Sequence, residues 1–108
     1  MNWIIEYKTE AEKDLEDLDR SQQIQILKAI RKVSVNPLPQ SEGGFGKPLG
    51  SKSKNNLTGY FKIKLRSLGL RVIYGLVREK STMKIIVISI RDDETVYKMA
   101  ADRITEEN

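Results

Sequence analysis

The chain has 108 residues, no cysteine, no histidine and a net charge of +4. This length suits one compact domain, expected over residues 1–108. The missing residue types exclude disulfides and the commonest soft metal ligands, so chemistry must come from Lys, Arg, Tyr, Ser, Thr or carboxylates, and no metal or cofactor is expected. The charge is unevenly spread. Residues 1–30 carry four basic and seven acidic side chains; residues 31–80 carry eleven basic ones against only Glu42 and Glu79; residues 81–108 return to a balance of −2. An electropositive middle segment of this kind attracts phosphates and steers association with nucleic acid. The opening MNWIIEYKTE lacks the basic start and unbroken apolar stretch of a secretory signal. No run approaches the roughly 18 apolar residues of a spanning helix, and a cytoplasmic protein without membrane contacts is expected.

In chain order, Trp3 to Lys8 form a short β-prone segment. Thr9, with Glu12 three positions on, fits a capping box, and Ala11, Leu15 and Leu18 follow at helical spacing. Asp19–Arg20 reads as a break. Ser21 then caps a second helix whose stripe is Ile24, Leu27 and Ile30, widened by Ile26 and Val33. Asn36-Pro37 ends it, because the residue before proline disfavours the helical region. Residues 37–58, with three Pro, four Gly and several Ser and Asn, read as a loop made basic by Lys47, Lys52 and Lys54.

From Tyr60 the period changes to two. Phe61, Ile63 and Leu65 alternate with Lys62, Lys64 and Arg66, which predicts a strand with one buried and one cationic face. A turn at Ser67-Leu68-Gly69 leads to a strand from Leu70 to Val77. Another turn, Arg78 to Thr82, precedes a nearly continuous apolar strand from Lys84 to Ile90. Asp92 or Asp93 caps a last helix that packs through Val96, Met99, Ala100 and Ile104. The predicted class is α+β: a small twisted, mostly antiparallel sheet with an N-terminal helical hairpin and a C-terminal helix, in the order β-α-α-β-β-β-α.

Strand geometry turns the central charges into a candidate site. A two-residue turn at Leu68-Gly69 puts Arg71 on the Lys62–Lys64 face, whereas a three-residue turn puts it opposite; the sequence leaves both open. Four adjacent cations without an acid among them repel one another, and a phosphate backbone would relieve that repulsion. A solvated, lysine-rich outer sheet face is the plainer alternative. Arg91 stands where the last strand ends, and Tyr97 lies near the start of the last helix. Cutting RNA needs a base for the 2′-hydroxyl proton, cations for the charge building on phosphorus and an acid for the leaving 5′-oxygen. These residue types can supply all three, with arginine best suited to gripping phosphate.

Two stretches, Phe61-Lys-Ile-Lys-Leu-Arg-Ser-Leu-Gly-Leu-Arg-Val-Ile-Tyr74 and Ile88-Ser-Ile-Arg-Asp-Asp-Glu-Thr-Val-Tyr97, together with Gly46-Lys-Pro-Leu, resemble the RelE branch of the RelE/ParE toxin superfamily. The resemblance implies a small toxin neutralised by a cognate antitoxin, cutting messenger RNA in the ribosomal A site and meeting operator DNA only through the antitoxin complex. It places the catalytic set on Lys62, Lys64, Arg71, Arg91 and Tyr97. Lys64 or Tyr97 would be the base, Arg91 the acid and Lys62 with Arg71 the clamps, or Tyr97 would stack on a base. Lys47, Lys52, Lys54 and Arg66 are the expected further RNA contacts. The resemblance also implies that Arg91→Ala and Tyr97→Ala impair cleavage more than folding. Two departures stand out: the acidic, short segment Arg91-Asp-Asp-Glu-Thr-Val, and Leu70 where an aromatic is common. The competing expectations are a ParE-like toxin acting on gyrase and a noncatalytic RNA-binding domain.

Overall fold

A computed structural model describes residues 2–52 and 55–106, the Lys52 side chain excepted. The elements are β1 (Ile4–Tyr7), α1 (Thr9–Glu16), α2 (Arg20–Ser34), β2 (Lys47–Lys52), β3 (Asn55–Leu65), β4 (Leu70–Val77), β5 (Thr82–Ser89) and α3 (Asp93–Glu106). Five strands form one sheet in the order β1-β5-β4-β3-β2. Only β1 runs parallel to its neighbour, β5; the other pairs are antiparallel. This is the α+β architecture expected, with one strand more than the sequence reading found.

The additional strand is β2, inside the segment read as loop, and β3 begins at Asn55 rather than at Tyr60. Pro48 is tolerated because β2 is an edge strand, where one side of the backbone needs no partner. The register shifts between Pro48 and Gly50, and Gly50 has φ of 69°. A strand kinked in this way has no period of two to detect.

The helical hairpin differs at its caps. Thr9 is the first residue of α1 rather than its cap; Lys8 occupies the cap position and makes no side-chain capping hydrogen bond. The capping box forms one helix later. Asp19 Oδ1 accepts from Gln22 N at 2.8 Å, and Gln22 Oε1 accepts from Asp19 N at 3.1 Å, so Asp19 and not Ser21 starts α2. The buried stripe of α2 is Ile26, Ile30 and Ser34, flanked by Leu27 and Val33. Ile24 is 48% exposed, because it lies one turn from Lys28 on the wet face.

Apolar residues fill both sides of the sheet. Beneath α1 and α2, Phe61, Ile63, Val72, Tyr74, Met83 and Ile85 pack with Ala11, Ile26 and Ile30. Phe61 and Tyr74 are cross-strand partners with stacked rings, centroids 5.3 Å apart. The Tyr74 hydroxyl donates to the Pro37 carbonyl at 2.9 Å, and burial pushes its pKa far above the usual tyrosine value. Gly46 sits against this contact: a Cβ there would stand 2.7 Å from the Pro37 oxygen and 2.9 Å from the Tyr74 hydroxyl. On the opposite face, α3 packs Val96, Tyr97 and Ala100 onto Ile73, Ile86 and Val87.

The outer edge of β5 is completed by side chains. Pairing with β1 ends at Tyr7 opposite Ile85. Farther along, Asp14 Oδ2 accepts from Ile88 N at 3.0 Å, and Arg103 Nη1 donates to Ile86 O at 2.9 Å. Arg103 also grips Asp14, with Nη1 at 2.6 Å from Oδ2 and Nη2 at 3.1 Å from Oδ1. This pair joins α1, β5 and α3. No helix among the described residues is long and apolar enough to cross a membrane.

Candidate functional site

Lys62 and Lys64 leave β3 on the α3 side of the sheet, and the register decides which cations join them. Lys47 in β2 stands opposite Lys62, and Arg71 in β4 opposite Lys64. Directly opposed residues in an antiparallel pair point to the same face, so Lys47, Lys62, Lys64 and Arg71 share one surface. The connection between β3 and β4 is neither of the two lengths considered. Leu65 pairs with Leu70, and four residues intervene: a 3-10 turn at Arg66–Leu68 and Gly69 at φ of 64°. Four residues keep the parity of two, and this puts Arg71 beside Lys64. The same turn takes Arg66 out of the strand. Arg66 is exposed on the turn and does not extend the Lys62–Lys64 row, contrary to the alternation read through it.

An acid does stand among these cations. Asp93, the first residue of α3, sets its carboxylate against Arg71 Nε and 3.4 Å from Lys64 Nζ. Burial raises the Asp93 pKa, but the Arg71 hydrogen bond and the two positive charges more than offset this and hold it below the ordinary aspartate value. The helix cap is Asp92 instead, whose Oδ1 accepts from Thr95 N at 2.8 Å. That bond is the main reason its carboxyl also titrates low. Arg71 is further held by Nη1, which donates to Gly69 O at 3.2 Å and to Arg91 O at 2.8 Å.

Lys62, Lys64, Arg71, Asp93 and Tyr97 line one small depression together with Ile73, Val96 and the strand at Ile63. Tyr97 is only 6% exposed, one wall of its ring belonging to the core under α3. Arg91 takes part through its backbone carbonyl while its residue as a whole is exposed; its N–H donates to Ser89 Oγ at 3.0 Å, shaping the turn into α3. Of the further expected contacts, Lys47 is exposed on the same face. Lys52 closes β2, and Lys54 lies outside the described residues. Asp93 is the participant that sequence reasoning missed. The acidic run after Arg91 was visible, but the 22-residue separation from Arg71 hid the contact.

An arrangement of three cations, a phenol and one carboxylate around a shallow depression can hold an anion in an oriented way. Among the described residues, no carboxylate is set against Lys62.

The sequence profile of the family described as ParE toxin of type II toxin–antitoxin systems, parDE, matches residues 5–97. A protein of Escherichia coli named as RelE-like toxin is 25% identical over 104 residues, covering 96% of this chain and 99% of the relative. The solved structure of a double-arginine mutant of E. coli toxin RelE in the free state superposes with a TM-score of 0.75 at 26% identity, covering 96% of this chain and 99% of that one. The same toxin mutant bound to a peptide of its antitoxin RelB has a TM-score of 0.69 at 24% identity, with 93% and 95% covered. The chain therefore belongs to the ParE toxin family of type II toxin–antitoxin systems, and within it is RelE-like.

Proposed function

We propose that this protein is an endoribonuclease that cuts messenger RNA in the ribosomal A site and is held inactive by a cognate antitoxin. The observation that carries this reading is the gathering of Lys62, Lys64, Arg71 and Tyr97, from three separate elements, around one depression. A structural ion-pair network does not require a phenol and an uncompensated lysine there. In the proposed reaction Lys64 or Tyr97 takes the proton of the 2′-hydroxyl, whose oxygen attacks the adjacent phosphorus. Lys62 and Arg71 stabilise the charge on the phosphoryl oxygens. The bond to the 5′-oxygen breaks as Arg91, whose backbone carbonyl adjoins Arg71, supplies its proton. The products are a 2′,3′-cyclic phosphate and a 5′-hydroxyl, and the substrate's own hydroxyl as nucleophile makes a metal unnecessary. Lys47 on the same face would follow the RNA backbone, and Lys52, Lys54 and Arg66 are the further contacts proposed for it. Antitoxin binding is supported by the antitoxin-bound neighbour; operator DNA would be met through that complex.

The test is 5′-end mapping of a defined messenger RNA, with and without ribosomes stalled at a known codon. A ribosome-dependent cut in the A-site codon is the expected result. Arg91→Ala should lower the cleavage rate about a hundredfold with little change in unfolding free energy. For Tyr97 the informative change is Tyr97→Phe rather than Tyr97→Ala. The ring is buried, and its removal alone would cost about 3–5 kcal/mol of stability. The ParE family match favours one second reading, inhibition of gyrase. No cut with or without ribosomes, together with loss of supercoiling activity of gyrase, would establish that reading and overturn the first.

A further inference from the structure

Arg71 is the residue best suited to grip a phosphate with two nitrogens, yet its donors are largely taken. Nε faces Asp93, and Nη1 serves the carbonyls of Gly69 and Arg91. Nη2 alone remains for an outside ligand, and one nitrogen cannot form the two parallel bonds of an arginine fork. The Nε–Nη2 edge becomes a fork only when Asp93 leaves it.

We propose that Asp93 occupies the seat of a substrate phosphate and sets the affinity of the site, since an incoming phosphodiester must displace its carboxylate from Arg71 and Lys64. The inference rests on the reading of this cluster as a phosphate-binding site. A carboxylate and a phosphodiester each present two anionic oxygens, and here one carboxylate already spans cations of adjacent strands, Oδ1 toward Arg71 and Oδ2 toward Lys64. Asp93 can leave cheaply. Its side chain is 38% exposed, and it is Asp92 that caps α3, so swinging Asp93 out strips no helix donor. Arg71 meanwhile stays anchored through Nη1, so the vacated edge keeps its aim. The displaced carboxylate would also remain near the mouth of the site and repel further anions. Affinity for single phosphates is thereby held down until several contacts are made together.

The probe is a 2′-O-methylated RNA trinucleotide, which cannot be cleaved, followed by fluorescence anisotropy over a range of salt with the full chain. Asp93→Asn keeps the shape and a hydrogen-bond acceptor but removes the charge, and it should tighten binding about tenfold. It should also steepen the dependence of log affinity on log salt by about 0.7 for each phosphate newly engaged. Asp93→Ala should tighten binding as well, with urea unfolding showing that both variants are folded. Unchanged or weaker binding in Asp93→Asn, while Lys62→Ala weakens it, would overturn the proposal and make Asp93 a residue that positions Arg71. Affinity indifferent to Lys62→Ala would instead bring down the phosphate-site reading on which the proposal stands.

Discussion

Two carboxylates grip arginines at opposite ends of α3, and they differ in burial and in how the carboxylate is tied to the backbone. At the far end, Asp14 and Arg103 are 15–16% exposed, and the pair is knitted into backbone on both sides through Ile88 N and Ile86 O. At the near end, Asp93 is 38% exposed, Lys64 engages it with a single bond, and Arg71 has a free nitrogen. The chemistry is the same, but the consequences are not. A buried ion pair whose two members both bond backbone cannot exchange partners without leaving a charge stranded. A half-open one can give up its carboxylate to another anion at little cost. What separates scaffold from site is therefore the exposure of the carboxylate and whether it also bonds backbone, more than the distance within the pair.

The sharpest way to break this comparison is at the closed end. Asp14→Ala or Arg103→Ala should lower the unfolding free energy by about 3–5 kcal/mol, since either leaves a buried charge alone. Urea titration measures this, and a loss under about 1 kcal/mol would erase the distinction between the two ends. An intermediate effect is expected at a buried contact without ions. Tyr74→Phe deprives the Pro37 carbonyl of its donor and should cost about 1–2 kcal/mol in the same titration.

The smallest change belongs to the open end. Asp93→Asn should alter stability at neutral pH by less than about 1 kcal/mol. Its pH dependence has a defined sign. The folded-state pKa of Asp93 is lowered, so its contribution is fully present above the unfolded aspartate value and is lost as pH falls through the folded one. The stability difference between parent and Asp93→Asn should thus be constant at neutral pH and vanish in acid, as read by urea midpoints at successive pH values. A difference that grew on acidification would show the contact to be unfavourable.

The strands carrying the site were legible because each obeys a simple period. Lys62 and Lys64 between Phe61 and Leu65 announce an alternating strand, and the apolar run through Ile85–Ile88 announces a central one. What stayed hidden depended on backbone detail or on tertiary placement. β2 was lost because Pro48 and the shift before Gly50 remove its period. The caps at Thr9 and Ser21 were plausible locally, but Lys8 and Asp19 hold those places, and Asp19 gained its bond from a glutamine, Gln22, three residues on. Arg71 was placed on the correct face by one of two alternatives, and it took the observed four-residue turn to choose. The ionic contact of Asp93 required both that register and the seating of α3, neither of which a local pattern encodes. Of the five positions expected to be catalytic, Lys62, Lys64, Arg71 and Tyr97 line the depression, while Asp93, which lines it with them, could not be named from the chain.

The sheet order also governs when the protein can complete itself. β5, the last of these five strands in chain order, lies between β1 and β4, so Ile4 must wait for Thr82, 78 positions later, before it has a neighbour. Pairings over so long a chain separation are slow to close, because the intervening chain must give up its freedom first. A ribosome synthesising this protein, at some 5–20 residues per second, therefore carries an unsealed two-piece sheet until β5 emerges. Asp93, Tyr97 and Arg103 follow after that. The cationic depression is therefore assembled only after the sheet has closed, when α3 brings Asp93 and Tyr97 onto strands that are already paired.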